Sequence, residues 1–128
     1  MQMISPYVVP GLSFKPMPKH HPTKRGTFKM VRAVCAEYNI SPMQIHSASR
    51  HRPHVIGRQV LQTILRMLTP MTLEQIGMVV GRRDHATVKY AINQVKGLYQ
   101  VDTMYRNKVN NILHKIDATH LEAKFMEA

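Results

Sequence analysis

The residues best suited to chemistry fall in one short run, Gly81-Arg82-Arg83-Asp84-His85-Ala86-Thr87, with Lys89 just beyond it. The side chains suit the reading of a polar, anionic surface. Arg83 carries the fork that donates two hydrogen bonds to the O6 and N7 of a guanine. Asp84 can cap a helix, orient a neighbouring arginine, or accept from a cytosine amino group. His85 can reach a base edge or a phosphate, and Arg82 adds charge beside it. The methyl of Ala86 can touch a thymine methyl. Thr87 and the first-turn backbone N–H groups can hold a phosphate at the positive end of a helix. Lys89 lies one turn on, near the same face.

A second basic cluster lies upstream. Arg50 and Arg52 belong to the run 49–55, read as a loop broken by Pro53, and Arg58 opens the helix that follows. Such a loop can track a nucleic-acid backbone or place an arginine in a minor groove. Between 44 and 90, seven Lys and Arg stand against two acidic residues, Glu74 and Asp84, so the charge is concentrated around these clusters.

The same residues argue against catalysis. A hydrolytic site built on Asp84 and His85 needs several converging carboxylates or histidines, and the central region supplies too few. His46, His51 and His54 lie in or near the loop with no partner cysteine, a poor zinc set. No Gly-x-x-x-x-Gly-Lys-Ser/Thr phosphate loop occurs, so no ATPase module is expected within these residues. The reading is therefore a non-enzyme with neither cofactor nor metal.

The elements that must position these residues follow from spacing. Phe28, Val31, Val34 or Cys35, and Tyr38 recur at helical intervals from Thr27, with Asn39 as a left-handed stop. Ser41-Pro42 opens a short helix to about Ala48. A longer helix runs from about Ile56 to Leu68, with Val60, Leu61, Ile64, Leu65 and Leu68 on one face. Thr72 and Gln75 form a capping box for a helix over 73–80. Gly81 ends it, and Asp84 caps a helix from His85 to about Tyr99, with Val88, Ala91 or Ile92, Val95 and Leu98 as its apolar face. Asp102 caps a last helix carrying Met104 or Tyr105, Val109, Ile112, Leu113 and Ile116. Nothing reads as a strand. The fold class is all-α, five to six helices, with a helix-turn-helix at 73–98 and an upstream basic loop.

Composition is consistent with this. A chain of 128 residues has room for one modest core. Its 18 Lys and Arg against 7 Asp and Glu give a net charge of +11, which favours a polyanionic partner. Few aromatics are available to stack single-stranded bases, so double-stranded DNA is preferred over RNA. The single cysteine, Cys35, lies in an apolar helical stretch and reads as an inert core thiol. The ten methionines mostly take helical apolar positions and read as gap-filling core. No apolar run is long enough to span a bilayer and no signal-peptide layout opens the chain, so a cytoplasmic, nucleoid-associated protein is expected.

Three segments are expected: a Pro-rich basic arm at 1–25, extended or disordered; the DNA-binding domain at 26–118; and a C-terminal tail at 119–128. Tyr7, Val8, Val9, Leu12 and Phe14 make the arm too apolar for a pure spacer. A protein adaptor that works through the arm, with non-specific nucleic-acid binding, is the alternative function. Oligomeric state is left open.

From about Val31 to Ile116 the chain resembles the C-terminal DNA-binding domain of DnaA, the bacterial chromosomal replication initiator. The residues that carry the likeness are Leu73-Glu74-Gln75-Ile76-Gly77 and Gly81-Arg82-Arg83-Asp84-His85-Ala86-Thr87-Val88, together with Arg58-Gln59 and the basic loop before them. The resemblance implies that Arg83, Asp84, His85 and Thr87 meet the major groove of a short asymmetric box. It also implies that Arg50 enters the minor groove and that Arg58 meets the backbone. Two positions depart from the family signature: Arg82 replaces the second glycine of a pair, and Ala86 replaces the first of two threonines. The implied function is box recognition in replication-origin or transcription control, by a module standing alone.

Overall fold

A computed structural model describes residues 24–81 and 83–127. Arg82 and residues 1–23 of the expected arm lie outside the described residues, while Lys24 and Arg25, expected in the extended arm, open the first helix. Among the described residues the structure is helical throughout: α1 (Lys24–Tyr38), α2 (Pro42–His46), α3 (Arg52–Leu68), α4 (Leu73–Val79), α5 (His85–Val101), α6 (Thr103–Lys115) and α7 (Glu122–Met126).

Local chemistry sets most of the boundaries. Asn39 takes a left-handed φ of 54°, and Ile40 N–H donates back to the Cys35 carbonyl at 3.0 Å, closing α1. Ser41 with Gln44, and Thr72 with Gln75, form reciprocal capping boxes that start α2 and α4. Asp84 and Asp102 accept from the N–H groups of Thr87 and Tyr105, at 2.7 and 3.0 Å, and so start α5 and α6.

α3 is the central element. Val60, Leu61, Ile64 and Leu65 are fully buried, against α1 on one side and α5 on the other. α5 turns Val88, Ala91, Val95 and Tyr99 inward, with Leu98 only half-buried. Cys35 is buried, and desolvation raises its thiol pKa, as suits an inert core cysteine.

Three expectations are corrected. α3 begins at Arg52, four residues before the expected start, because Pro53 sits in its first turn. A proline there loses nothing, since that N–H has no helical partner. The loop is therefore Ser47–His51, and Arg52 and His54 belong to the helix. Residues 119–128, read as a tail, contain a 3-10 turn and α7, and they bury Leu121 and Phe125 in the core. The Phe125 ring lies 5.0 Å from that of Tyr99. Gln100 Nε2 donates to the Phe125 and Glu127 carbonyls at 3.3 and 3.0 Å, fastening α7 to the end of α5. The methionines also divide. Met71 is buried and Met30 and Met67 pack beside the core, but Met43, Met78, Met104 and Met126 are exposed. Met43 shows why spacing misled: it lies on the five-residue α2, which inserts only Ile45 into the core.

Candidate nucleic-acid interface

Two glycines set the geometry of the α4–α5 junction. Gly81 has a φ of 92°, which L side chains rarely adopt, and a Cβ there would overlap the His46 carbonyl. Gly77 leaves room for the returning chain: Arg83 N–H donates to the Gly77 carbonyl at 2.9 Å. A Cβ on Gly77 would meet the Arg83 carbonyl. The turn thus folds onto α4 and brings the end of α2 against it.

Past the turn, α5 presents its first two turns outward. Asp84, His85, Ala86, Thr87 and Lys89 are all exposed, while Val88 faces the core. The Asp84 carboxyl is held below the usual carboxylate range, chiefly by its hydrogen bonds with the Thr87 side chain and backbone N–H. The cap therefore persists at neutral pH. Its contribution is complete above the unfolded-state pKa and is lost as pH falls through the lowered folded one.

Helical spacing continues this face. Ala86, Lys89, Tyr90 and Asn93 fall at i, i+3, i+4 and i+7 and are exposed, Tyr90 by 63%. Lys89 is the last residue of this face that the sequence motif singles out. The signal for Tyr90 and Asn93 was present as the polar stripe opposite Val88, Ala91 and Val95. Asn93 has the paired donor and acceptor that match the N6 and N7 of adenine.

The upstream loop is wound by its serines. Ser49 N–H donates to Ser47 Oγ at 3.2 Å, His51 N–H donates to Ser49 Oγ at 3.1 Å, and His54 Nδ1 lies 2.9 Å from Ser49 Oγ. Arg50 and Arg52 are exposed beside it. Among the described residues, no group of three or more His, Cys, Asp and Glu is placed to hold a metal ion.

Arg58 is not where a phosphate contact would need it. It is 7% exposed, and its guanidinium points into the protein. Nε donates to the Ile45 carbonyl at 2.8 Å, and Nη2 donates to the Ser47 and Ser49 carbonyls at 2.8 and 3.3 Å. Arg83 also turns inward. Its Nη1 donates to the Gly81 carbonyl at 2.9 Å and its Nη2 to the Ser47 carbonyl at 2.6 Å. The fork expected to read a guanine is thus engaged on the protein's own backbone. Burial first, and then the neighbouring Arg83 charge, lower the Arg58 pKa from its ordinary value. The structure brings Arg58 and Arg83 together on one carbonyl, leaves Arg50 and Arg52 outside, and sets Asp84 to Lys89 on the outward face of α5.

Comparison with known proteins gives a consistent result. Residues 29–95 match the family described as bacterial dnaA protein helix-turn-helix. The chromosomal replication initiator protein DnaA of Bacteroides thetaiotaomicron is 33% identical over 94 residues, covering 73% of this chain and 20% of that protein. The DnaA protein of Bacteroides fragilis is 35% identical over 83 residues, 65% of this chain and 17% of its own length. That of Bartonella quintana is 38% identical over 84 residues, 61% of this chain and 17% of its own length. The matches thus extend over a fifth or less of each of these relatives.

Proposed function

The chain belongs to the bacterial dnaA helix-turn-helix family, and on that premise we propose that it is a sequence-specific double-stranded DNA-binding protein acting in replication-origin or transcription control. The observation that carries this reading is the outward face of α5, Asp84 to Asn93, together with a basic loop that Arg58 and Arg83 fasten to α3 and to the turn leading into α5. The N-terminal half of α5 enters the major groove, where His85, Ala86, Lys89 and Asn93 reach base edges. Thr87 itself serves the Asp84 cap, and the first-turn N–H groups of His85 and Ala86 meet a phosphate. Arg50, on the loop, reaches the adjacent minor groove, and Arg52 meets the backbone.

Selection from random duplexes tests the reading, since it returns the site itself. Enrichment of no common sequence would remove specific recognition from the account. On the selected site, Arg50→Ala is expected to weaken binding roughly 5- to 100-fold, and the loss should grow with A·T content in the flank, where a narrow groove concentrates negative potential. Binding equal to wild type would take Arg50 out of the groove.

Ala86 supplies a finer test. Its methyl can touch a thymine methyl but makes no hydrogen bond, so one base pair is loosely read. Ala86→Thr adds a hydroxyl on an exposed first-turn position and should sharpen discrimination at that pair by about 1 kcal/mol. Parallel selections with the two proteins would reveal it. Identical preferences at every position would require α5 to be rotated in the groove.

A further inference from the structure

The structure assigns Arg58 and Arg83 a joint role as positioning residues: through the Ser47 carbonyl they fix the distance between the Arg50 loop and the reading helix, and so set the spacing of the DNA site. This inference rests on the DNA-binding reading above and adds to it a source of specificity that touches no base.

The observations converge on one atom. A carbonyl oxygen has two lone pairs, and Ser47 O receives an N–H from each of two guanidinium groups, at 2.8 Å from Arg58 and 2.6 Å from Arg83. Arg58 belongs to α3 and also holds Ile45 and Ser49, so it grips the chain on both sides of Ser47. Arg83 belongs to the α4–α5 turn, and its other terminal nitrogen returns to Gly81. Three elements thus meet at a residue three positions before Arg50. A steric contact reinforces the polar one, because the His46 carbonyl lies against the Cα of Gly81 with no room for a side chain. A planar guanidinium can span several carbonyls, which a lysine ammonium on its flexible stem cannot do in the same geometry.

The arrangement also has a cost. Two like charges share one acceptor, and the Arg83 charge disfavours the charged form of Arg58. A phosphate backbone near the loop offsets that repulsion, so the tie should hold more firmly on DNA than off it. An internal tie of this kind has a specific consequence. With the loop fixed to the turn, an A·T element met by Arg50 and a base sequence met by α5 must lie at one separation. Changing that separation by one base pair moves the two elements apart along the duplex and rotates them, and a rigid protein cannot follow.

The test uses the full chain and four duplex types: the selected site, that site with one base pair inserted between flank and core, that site with one removed, and random sequence. Wild type should lose at least about tenfold in affinity on either altered spacing, the scale of a mismatched base pair. Arg58→Gln and Arg83→Gln should bind the selected site less well, with the spacing penalty reduced to about threefold or less and random-duplex affinity changed far less. A variant that only lowers the folded fraction would weaken all four duplexes by one factor and leave the spacing ratio unchanged. That outcome overturns the inference. Arg83 is only half-buried, so Arg83→Gln carries the test if Arg58→Gln does not fold. The salt slope is a second readout. Neutralising a phosphate contact lowers it by about 0.9, whereas removal of an internal tie at Arg58 leaves it unchanged. A lowered slope for Arg58→Gln returns Arg58 to the backbone. Wild type that binds selected and random duplexes alike would defeat the DNA-reading proposal itself, an outcome distinct from a wild-type spacing penalty that both variants retain.

Discussion

Truncating Phe125 to alanine is expected to destabilise the protein by about 3–5 kcal/mol, the usual range for deleting a buried aromatic ring. The side chain is fully buried against Tyr99, and the segment carrying it is held to α5 by the two Gln100 hydrogen bonds. Domains of this size have net stabilities of only about 5–15 kcal/mol, so the variant would be marginal at 37 °C. Denaturant unfolding at constant slope would measure the change. A loss under about 1 kcal/mol would mean that residues 119–127 are the loose tail that their sequence suggests. The contacts of Phe125 are at the far end of α5 from Asp84, so the folded fraction of the variant should retain wild-type base preferences.

Gly77→Ala should be similarly damaging for a different reason. The added methyl meets the Arg83 carbonyl, a backbone atom that cannot swing aside as a side chain could. Overpacking of this kind costs about 1–3 kcal/mol, and displacing the turn also removes the Arg83 N–H bond to Gly77, worth about 1 kcal/mol more. Gly97→Ala makes an internal comparison. It lies within α5, and a Cβ there meets nothing within 4 Å. Alanine at that position should stabilise by about 0.5–1 kcal/mol through its better helix propensity. The same substitution twenty residues away thus reverses sign. Unfolding curves for the two variants would check it, and equal stabilities would contradict the close approach at Gly77. Gly77→Ala should also lower specific DNA binding beyond its effect on folding, because the displaced residue carries the tie to Ser47.

How much of this was legible depends on how far each interaction reaches along the chain. Asn39, the Ser41 cap, the Thr72–Gln75 box, and the Asp84 and Asp102 caps each act within a few residues, and all were legible in the sequence, although the Gln44 half of the Ser41 box was not read. The inward rows of α3 and α5 followed from their periods of three and four, although Tyr99 took the buried place expected for Leu98. Pro53 was misjudged because one residue can stop a helix or start it, and the difference lies in where the preceding loop comes to rest.

Short-range chemistry settled the existence of α1 to α6, most of their caps, the charge that favours a polyanion, and the exposed run Asp84-His85-Ala86-Thr87 with Lys89. Each is fixed by neighbours a turn or so away, or by composition. Long-range packing is what turns Arg58 inward, engages the Arg83 fork on Gly81 and Ser47, and closes the core with Phe125. The partners of Arg58 lie 9 to 13 residues away, and Arg83 reaches Ser47 across 36. An arginine reads the same in sequence whether it faces solvent or a carbonyl. Those carbonyls become acceptors in the right place only once α2, α3 and the α4–α5 turn have packed together.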